Sequence, residues 1–325
     1  MTFADTIATE LNVRPSQVEA ALTLLAEGNT VPFIARYRKE ATGGLDDAQL
    51  RHIEERNTYL SELAARKDTV LASIEEQGKL TDELKQAILA ADTKARVEDL
   101  YLPYKKRRRT KADIAREAGL EELEQLLIDD PTLDPATAAA NFTSEGFPDA
   151  AAALEGARAI LVDRFALDAD LVSEVRNRVF EQGALRASVV SGRETDGAKF
   201  ADYFDFSEPF TKLPSHRILA LLRGEAEGVL TLDFDPGEEA IYEGMIVRVF
   251  DLPDSEWVNK AVRWGWRTKL QVAANLDTRM RLKEVAEAGA LEVFKTNLRD
   301  VLLAAPAGQR ATLALDPGYR NGVKC

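Results

Sequence analysis

The chain has 325 residues, of which 45% are hydrophobic and 30% are charged, and its 42 basic and 55 acidic side chains give a formal net charge of −13. This length and composition predict a globular chain with room for about two or three subdomains. The acidic balance excludes a protein that coats nucleic acid uniformly, so any contact with nucleic acid must be local.

The cysteine content and the apolar pattern indicate the compartment. Cys325 is the single cysteine, so no internal disulfide can form. The first residues are acidic and lack the basic and then apolar order of a signal peptide, and no apolar run is long enough to span a membrane. We therefore expect a cytoplasmic protein without membrane contact.

The first two-thirds of the sequence is predicted to be helical. Pro15 marks a first turn, and apolar residues at helical spacing follow it as far as Gly28. After a break at residues 42–44, one apolar stripe continues to Gly78, which predicts a long amphipathic helix. Thr81 is a candidate N-cap for the next helix. Farther on, short helices divided by glycine and proline are expected to pack in an array.

Strand signals appear later in the chain. The segments Val229–Phe234 and Met245–Phe250 combine β-branched or aromatic residues with a proline or glycine near one end, and we expect them to pair as a small ribbon. Helical spacing returns from Trp257 to Leu303. The predicted division is an N-terminal helical region over 1–200, a central and mostly helical region over 201–310, and the start of a further domain over 311–325.

The last residues predict an incomplete element. Thr312–Leu315 is predicted to be a short apolar strand, and Asp316–Gly318 a sharp turn toward Val323, as at the start of a hairpin. An isolated two-stranded ribbon is marginal in water. We therefore interpret the sequence as a fragment that ends just inside its next domain.

One dense basic run stands against the acidic background. It lies in the loop 104–111, and its members are Lys105, Lys106, Arg107, Arg108, Arg109 and Lys111. Because these charges repel one another unless an anion is close, we predict that the loop binds nucleic-acid phosphate. The alternative is a solvated connection between helices, or a contact with acidic helices of the same chain.

A further candidate surface mixes tryptophans with cations. Its members are Trp257, Trp264 and Trp266 with Arg263, Arg267 and Lys269. Aromatic rings next to cations suit nucleic acid, but the same rings can anchor a small domain against its neighbour. The sequence leaves both interpretations open.

No assembled catalytic site is predicted. The two histidines, His52 and His216, are far apart and lack a metal-ligand pattern, and the sequence contains neither a P-loop nor a glycine-rich dinucleotide fingerprint. Asp316 is placed like the metal-binding aspartate after the first strand of RNase H-like nucleases. A single carboxylate cannot perform two-metal chemistry, and Asp316 with Gly318 also suits a tight turn. We predict no enzyme activity, no cofactor and no metal.

Five blocks of the sequence occur in the order found in one known family. They are residues 31–45, 97–111 (VEDLYLPYKKRRRTK), 213–220, 227–230 and 315–324 (LDPGYRNGVK). Together they resemble the Tex family of bacterial transcription accessory proteins. The resemblance implies an N-terminal helical region, followed by a YqgF-type RNase H-like domain, tandem helix-hairpin-helix motifs and an OB-fold RNA-binding domain. It also implies that only the first region and the opening strand of the second lie within this sequence.

These observations together predict a mainly α protein. We expect a multi-helix array with a helix-turn-helix-like part and a small β ribbon, ending in the first strand of a truncated RNase H-like domain. The expected function is that of a non-enzymatic scaffold that binds RNA or DNA, weakly in this fragment, and helps to position the transcription machinery. The alternatives are a helical protein-interaction module and part of a metal-dependent RNase H-like nuclease.

Overall fold

The chain is mainly α-helical, as predicted. The computed structural model describes residues 2–105, 108–306, 308–309, 311–318 and 322–324. Within these residues the α-helices are α1 (Phe3–Leu11), α2 (Pro15–Ala26), α3 (Val31–Tyr37), α4 (Asp47–Glu75), α5 (Asp82–Ala90), α6 (Lys94–Tyr101), α7 (Lys111–Glu117), α8 (Leu120–Asp129), α9 (Pro135–Ala139), α10 (Ala150–Leu167), α11 (Ala169–Gln182), α12 (Ser215–Ala226), α13 (Glu239–Phe250), α14 (Glu256–Gly265) and α15 (Gln271–Leu302). The strands are β1 (Ala184–Val189), β2 (Asp205–Pro209), β3 (Leu230–Asp235), β4 (Asp316–Gly318) and β5 (Gly322–Lys324). None of these described helices combines enough length with enough apolar character to span a lipid bilayer.

The long helix α4 joins two apolar cores. It begins at Asp46, whose carboxylate accepts a hydrogen bond of 2.8 Å from the backbone N–H of Gln49. Its first half buries Leu50 with α1, α2 and α3, and its second half buries Ile74 with α5 and α6. The amphipathic helix predicted after residues 42–44 is therefore confirmed, and its single stripe supplies both cores.

Backbone contacts divide the chain into two units. Unit 1 contains residues 1–175 and 239–272, and unit 2 contains residues 176–238 and 273–325. The division predicted at residues 200 and 310 from the sequence stays a prediction.

Helix α10 is the central helix of the later part of unit 1. It packs against α7, α8, α9 and α14, and it buries residues all around its circumference, among them Ala157, Ile160 and Phe165. Gly156 permits Leu120 and Phe147 to approach α10 closely, because an added Cβ there would lie 2.8 Å from Cε1 of Phe147 and closer still to Leu120. The same packing holds α7 against α10, and Lys111 at the start of α7 is the last residue of the basic loop.

Unit 2 contains a three-stranded antiparallel sheet in the order β2-β1-β3. Leu185 in the central strand lies opposite Glu208 of β2 and Phe234 of β3. The predicted strand at Val229–Phe234 is confirmed as β3, shifted by one residue. Its partner is β1, a strand of alternating buried and exposed residues that the sequence analysis did not predict.

The strand predicted at Met245–Phe250 is wrong, because these residues form the end of α13. Tyr242, Met245 and Ile246 are the buried residues of this helix, and their spacing of three and four is that of one helical face. The β-branched pair at residues 246–247 favours a strand locally, but burial against neighbouring helices overrides that propensity.

A hairpin is present at the end of the chain, as predicted, but its first strand and its turn lie at other residues than predicted. Thr312–Leu315 has no regular secondary structure, and Asp316–Gly318 is a strand rather than a turn. Asp316 pairs with Lys324 in an antiparallel ladder between β4 and β5. Because no described strand pairs with Thr312–Leu315, its apolar residues do not produce a strand in the described structure.

Candidate nucleic-acid interface

The basic loop, residues 104–111, is fixed to α4 at its first residue. The backbone carbonyl of Tyr104 accepts a hydrogen bond of 2.9 Å from Nε2 of Gln77, just after α4. Three residues earlier, the hydroxyl of Tyr101 lies 3.0 Å from Oγ of Ser73. Both tyrosine rings pack against the second apolar core. Tyr101 and Tyr104 therefore anchor the loop.

The other end of the loop is fixed by the cap of α7. The backbone N–H and the hydroxyl of Thr110 each donate to Oδ2 of Asp113 at 2.8 Å, and the N–H of Asp113 donates back to the Thr110 hydroxyl at 3.2 Å. Arg116 joins α7 to α10 through Asp163, with 3.0 Å between Nη1 and Oδ2. The loop is therefore held at both ends by residues other than its cations.

The described cations of the loop all lie at the surface. Lys105, Arg108, Arg109 and Lys111 are exposed, whereas Lys106 and Arg107 lie outside the described residues. Arg109 forms an ion pair with Glu117 of α7, which is the intramolecular contact named as an alternative above. Among the described residues, no carboxylate pairs with Lys105, Arg108 or Lys111. These three cations remain available to an anion.

A pocket of about 710 Å³ opens beside Lys111 within unit 1. Its walls combine small apolar residues, two aromatic rings, three cations and two carboxylates. The lining residues are Thr110, Lys111, Ala112, Ile114, Gly146, Phe147, Ala152, Glu155, Gly156, Arg158, Ala159, Val162, Asp163, Trp264 and Lys269. The end of the basic loop and part of the tryptophan cluster therefore meet at one cavity.

Trp264, near the end of α14, and Lys269, in the π-helical segment Trp266–Leu270 that follows, both line this pocket. Trp266 is fully buried and stacks on Tyr242 with ring centroids 4.2 Å apart. On the other side, Gly265 allows α14 to approach α10, since an added Cβ would lie 2.7 Å from Cδ2 of Phe165. Both contacts hold the backbone next to Trp264. Single-turn π segments inside helices are frequent at functional sites.

The three tryptophans have different environments. Trp257 and Trp266 are buried, whereas Trp264 is 53% exposed. The guanidinium carbon of Arg158 lies 5.1 Å from the centroid of the Trp264 ring. Two tryptophans thus serve packing, and Trp264 remains at the surface. A contact of this cluster with nucleic acid stays a prediction, and it is now restricted to Trp264.

The remaining candidate residues are not brought together. His52 is exposed, and its Nε2 lies 3.6 Å from Oε2 of Glu10. Asp316 is exposed in the terminal hairpin. In the part of the chain that the structure describes, no group of three or more His, Cys, Asp or Glu side chains is arranged to hold a metal ion.

Comparison with known families identifies the chain. The model of the Tex-like protein N-terminal domain matches residues 1–75, and the model of the Tex central region matches residues 130–294. This chain belongs to the Tex family. Residues 76–129, which contain the basic loop and its anchors, lie between the two matched regions of this Tex-family chain.

Several relatives match almost all of the chain. It is 51% identical over 333 residues to the transcriptional accessory protein Tex of Neisseria gonorrhoeae, and 50% identical over 336 residues to the protein YhgF of Escherichia coli. It is 28% identical over 342 residues to the human S1 RNA-binding domain-containing protein 1. The alignments include 100%, 99% and 96% of this chain, but 44%, 44% and 33% of those proteins. The Tex-family chain therefore spans less than half the length of these relatives.

Sequence reasoning missed part of the site in this Tex-family chain. Phe147 and Arg158 line the pocket but come from a turn and from α10, and the sequence analysis named neither of them. The mixed run around Trp264 was the one signal for this surface. Nothing in the sequence alone connects that run with Lys111, because the connection depends on the packing of α14 against α10.

Proposed function

We propose that this chain is a non-enzymatic nucleic-acid-binding scaffold in which the basic loop contacts phosphates. The observation that carries the proposal is the exposure of Lys105, Arg108 and Lys111 on a loop whose two ends are fixed, with no described carboxylate paired to them. A loop with fixed ends loses less conformational freedom on binding, and cations without an internal partner favour an anion.

The names of the relatives agree with this proposal. One relative is named a transcriptional accessory protein and another is named for an S1 RNA-binding domain. Since the chain spans less than half of either protein, a role beside the transcription machinery is part of the proposal for the whole protein. The basic loop would supply a local contact of modest affinity, because the net charge of −13 repels phosphate elsewhere on the surface.

The salt dependence of binding tests the loop. Each phosphate contact contributes about −0.9 to the slope of log K against log salt for duplex DNA. We expect Arg108→Ala and Lys111→Ala each to flatten that slope by about 0.9, and Arg109→Ala to flatten it less because Glu117 already pairs with Arg109. The measurement is fluorescence anisotropy of a labelled oligonucleotide across a salt series.

Arg51→Ala provides the matched control. Arg51 is exposed on α4 and pairs with Asp47 at 3.1 Å, so its loss changes the net charge of the protein equally but removes no loop contact. Its slope should equal that of the parent chain. If the double variant Arg108→Ala/Lys111→Ala binds as tightly as the parent with the same slope, the loop is a solvated connection and the proposal fails.

A protein-interaction module is the second candidate function, and α15 favours it. Leu291, Phe294, Leu298 and Val301 recur at spacings of three and four along this helix, and all four are exposed. An apolar stripe of this kind is typical of a face that packs against another helix. If the loop variants leave nucleic-acid binding unchanged, this second function becomes the better one.

A further inference from the structure

The pocket beside the basic loop has the properties of a ligand site. Its volume of about 710 Å³ lies in the range of roughly 300–1,000 Å³ that is usual for small-molecule sites. Ala112, Ala159 and Val162 contribute apolar surface, and charged side chains lie among them. Apolar walls with a few polar groups bury a ring and orient it at the same time.

One wall of the pocket suits a flat ring. Trp264 is half-exposed, and the guanidinium group of Arg158 lies over its indole. Unpaired nucleobases stack both on aromatic side chains and on arginine guanidinium planes. Phe147 supplies a second ring among the lining residues. The pocket therefore offers stacking surface of the kind found where single strands bind.

The charges of the pocket select among ligands that carry rings. Lys111 and Lys269 are exposed, and neither forms an ion pair with a described residue. Glu155 lies 3.7 Å from Arg158 and also lines the pocket. A carboxylate accepts a hydrogen bond from an exocyclic amino group, which cytosine, adenine and guanine carry and thymine lacks. The same carboxylate repels the acidic side chains of a peptide that would otherwise suit the two lysines.

We propose that this pocket holds one unpaired base of a single nucleic-acid strand. The base stacks on the wall formed by Trp264 and Arg158, the phosphates on either side of it contact Lys111 and Lys269, and Glu155 favours a base with an exocyclic amino group over thymine. This inference rests on the proposed function, because the strand reaches the pocket along the basic loop. It goes beyond that function by assigning a preference for single strands over duplexes and by assigning a residue that produces it.

Intrinsic fluorescence tests the proposal directly. Trp257 and Trp266 are buried, so quenching by a bound strand reports mainly on Trp264. The full chain is titrated with single-stranded oligo-dA, oligo-dC and oligo-dT and with a duplex of the same length. We expect stronger quenching and tighter binding for oligo-dA and oligo-dC than for oligo-dT, and the weakest quenching for the duplex.

Substitutions test whether Trp264 is the residue that binds the single strand. Stacking contributes about 1–3 kcal/mol per base, so Trp264→Ala should weaken single-strand binding by roughly 5-fold to 150-fold and leave duplex binding unchanged. Trp264→Phe keeps a ring and should restore most of the affinity. Tyr37→Ala is the control, because Tyr37 is 61% exposed on α3 and does not line the pocket. Circular dichroism verifies that each variant is folded.

The possible outcomes separate the two proposals. If single strands bind with a loop-dependent salt slope but neither quench Trp264 nor lose affinity in Trp264→Ala, the pocket inference is wrong and the basic-loop function stands. If no nucleic acid binds the parent chain, the function itself fails. Quenching by poly-glutamate without quenching by any oligonucleotide would assign the pocket to an acidic peptide and would likewise overturn the inference.

Discussion

Arg109 shows how a neighbouring side chain changes the meaning of a charged run. In the sequence it is one of six cations within the loop 104–111. In the folded chain Glu117, on the helix that follows the loop, pairs with it. An exposed ion pair contributes little to stability, so Glu117 is better understood as a competitor for the phosphate that Arg109 would otherwise contact.

Removing this competitor should strengthen binding. In Glu117→Gln we expect the affinity for duplex DNA to rise and the slope of log K against log salt to steepen by up to about 0.9, because one more cation reaches a phosphate. Glu122→Gln on α8 is the control, since it removes the same charge from an exposed residue outside the loop contact. An unchanged slope in Glu117→Gln, measured in the same titration, would show that Arg109 makes no phosphate contact.

The residues of the site differ in how far the sequence reveals them. Arg108 and Lys111 are visible as members of one dense basic run, and a run of like charges is almost always exposed. Arg158 is a single cation in an otherwise ordinary helical segment, and Lys269 stands out only as a member of the mixed run around Trp264. Their role beside the pocket depends on contacts between distant segments, which neither spacing nor charge expresses.

At the scale of elements, local signals predicted where helices begin and end better than they predicted strands. Helices α2, α4 and α5 occur where proline, glycine and threonine signals placed them. The strand β1 is short and lies directly after a long helix, so its alternation extends over too few residues to stand out. The π-helical segment left no signal in the sequence, because an extra residue in a helical turn is stabilised by its surroundings.

Gly156 tests the packing of α10. We expect Gly156→Ala to lower the free energy of unfolding by about 1–3 kcal/mol, because the added methyl group overlaps Leu120 and Phe147 in a close-packed region. Gly146→Ala is the matched control, since a Cβ there meets no atom within 4 Å. The measurement is urea unfolding followed by circular dichroism. Equal stability of the two variants would mean that α8 can move away from α10 without cost.

At the scale of the whole molecule, order should differ sharply along the chain. Leu185–Ala187 lie in the central strand of the sheet and have partner strands on both sides. Leu313–Leu315 are exposed and have no regular secondary structure. Their backbone N–H groups donate to no described backbone carbonyl.

Amide hydrogen exchange should reveal this difference. We expect Leu313–Leu315 to exchange at rates close to those of an unstructured peptide and Leu185–Ala187 to be strongly protected, because hydrogen-bonded amides exchange only after the structure opens. Mass spectrometry of peptides from these two regions in dilute solution provides the measurement. Similar protection in both would show that the apolar segment has found a partner in solution.

The arrangement of unit 1 also has a consequence for how the protein is made. Its α10 packs against α14, and Tyr242 stacks on Trp266, yet residues 176–238 separate the first part of the unit from the second. A ribosome that has released α10 has not yet synthesised α14. The surface of α10 that α14 covers in the folded chain therefore stays exposed to water and to chaperones while residues 176–238 of unit 2 are synthesised. The contact between α10 and α14, which forms part of the pocket, can therefore close only after residues 176–238 have been synthesised.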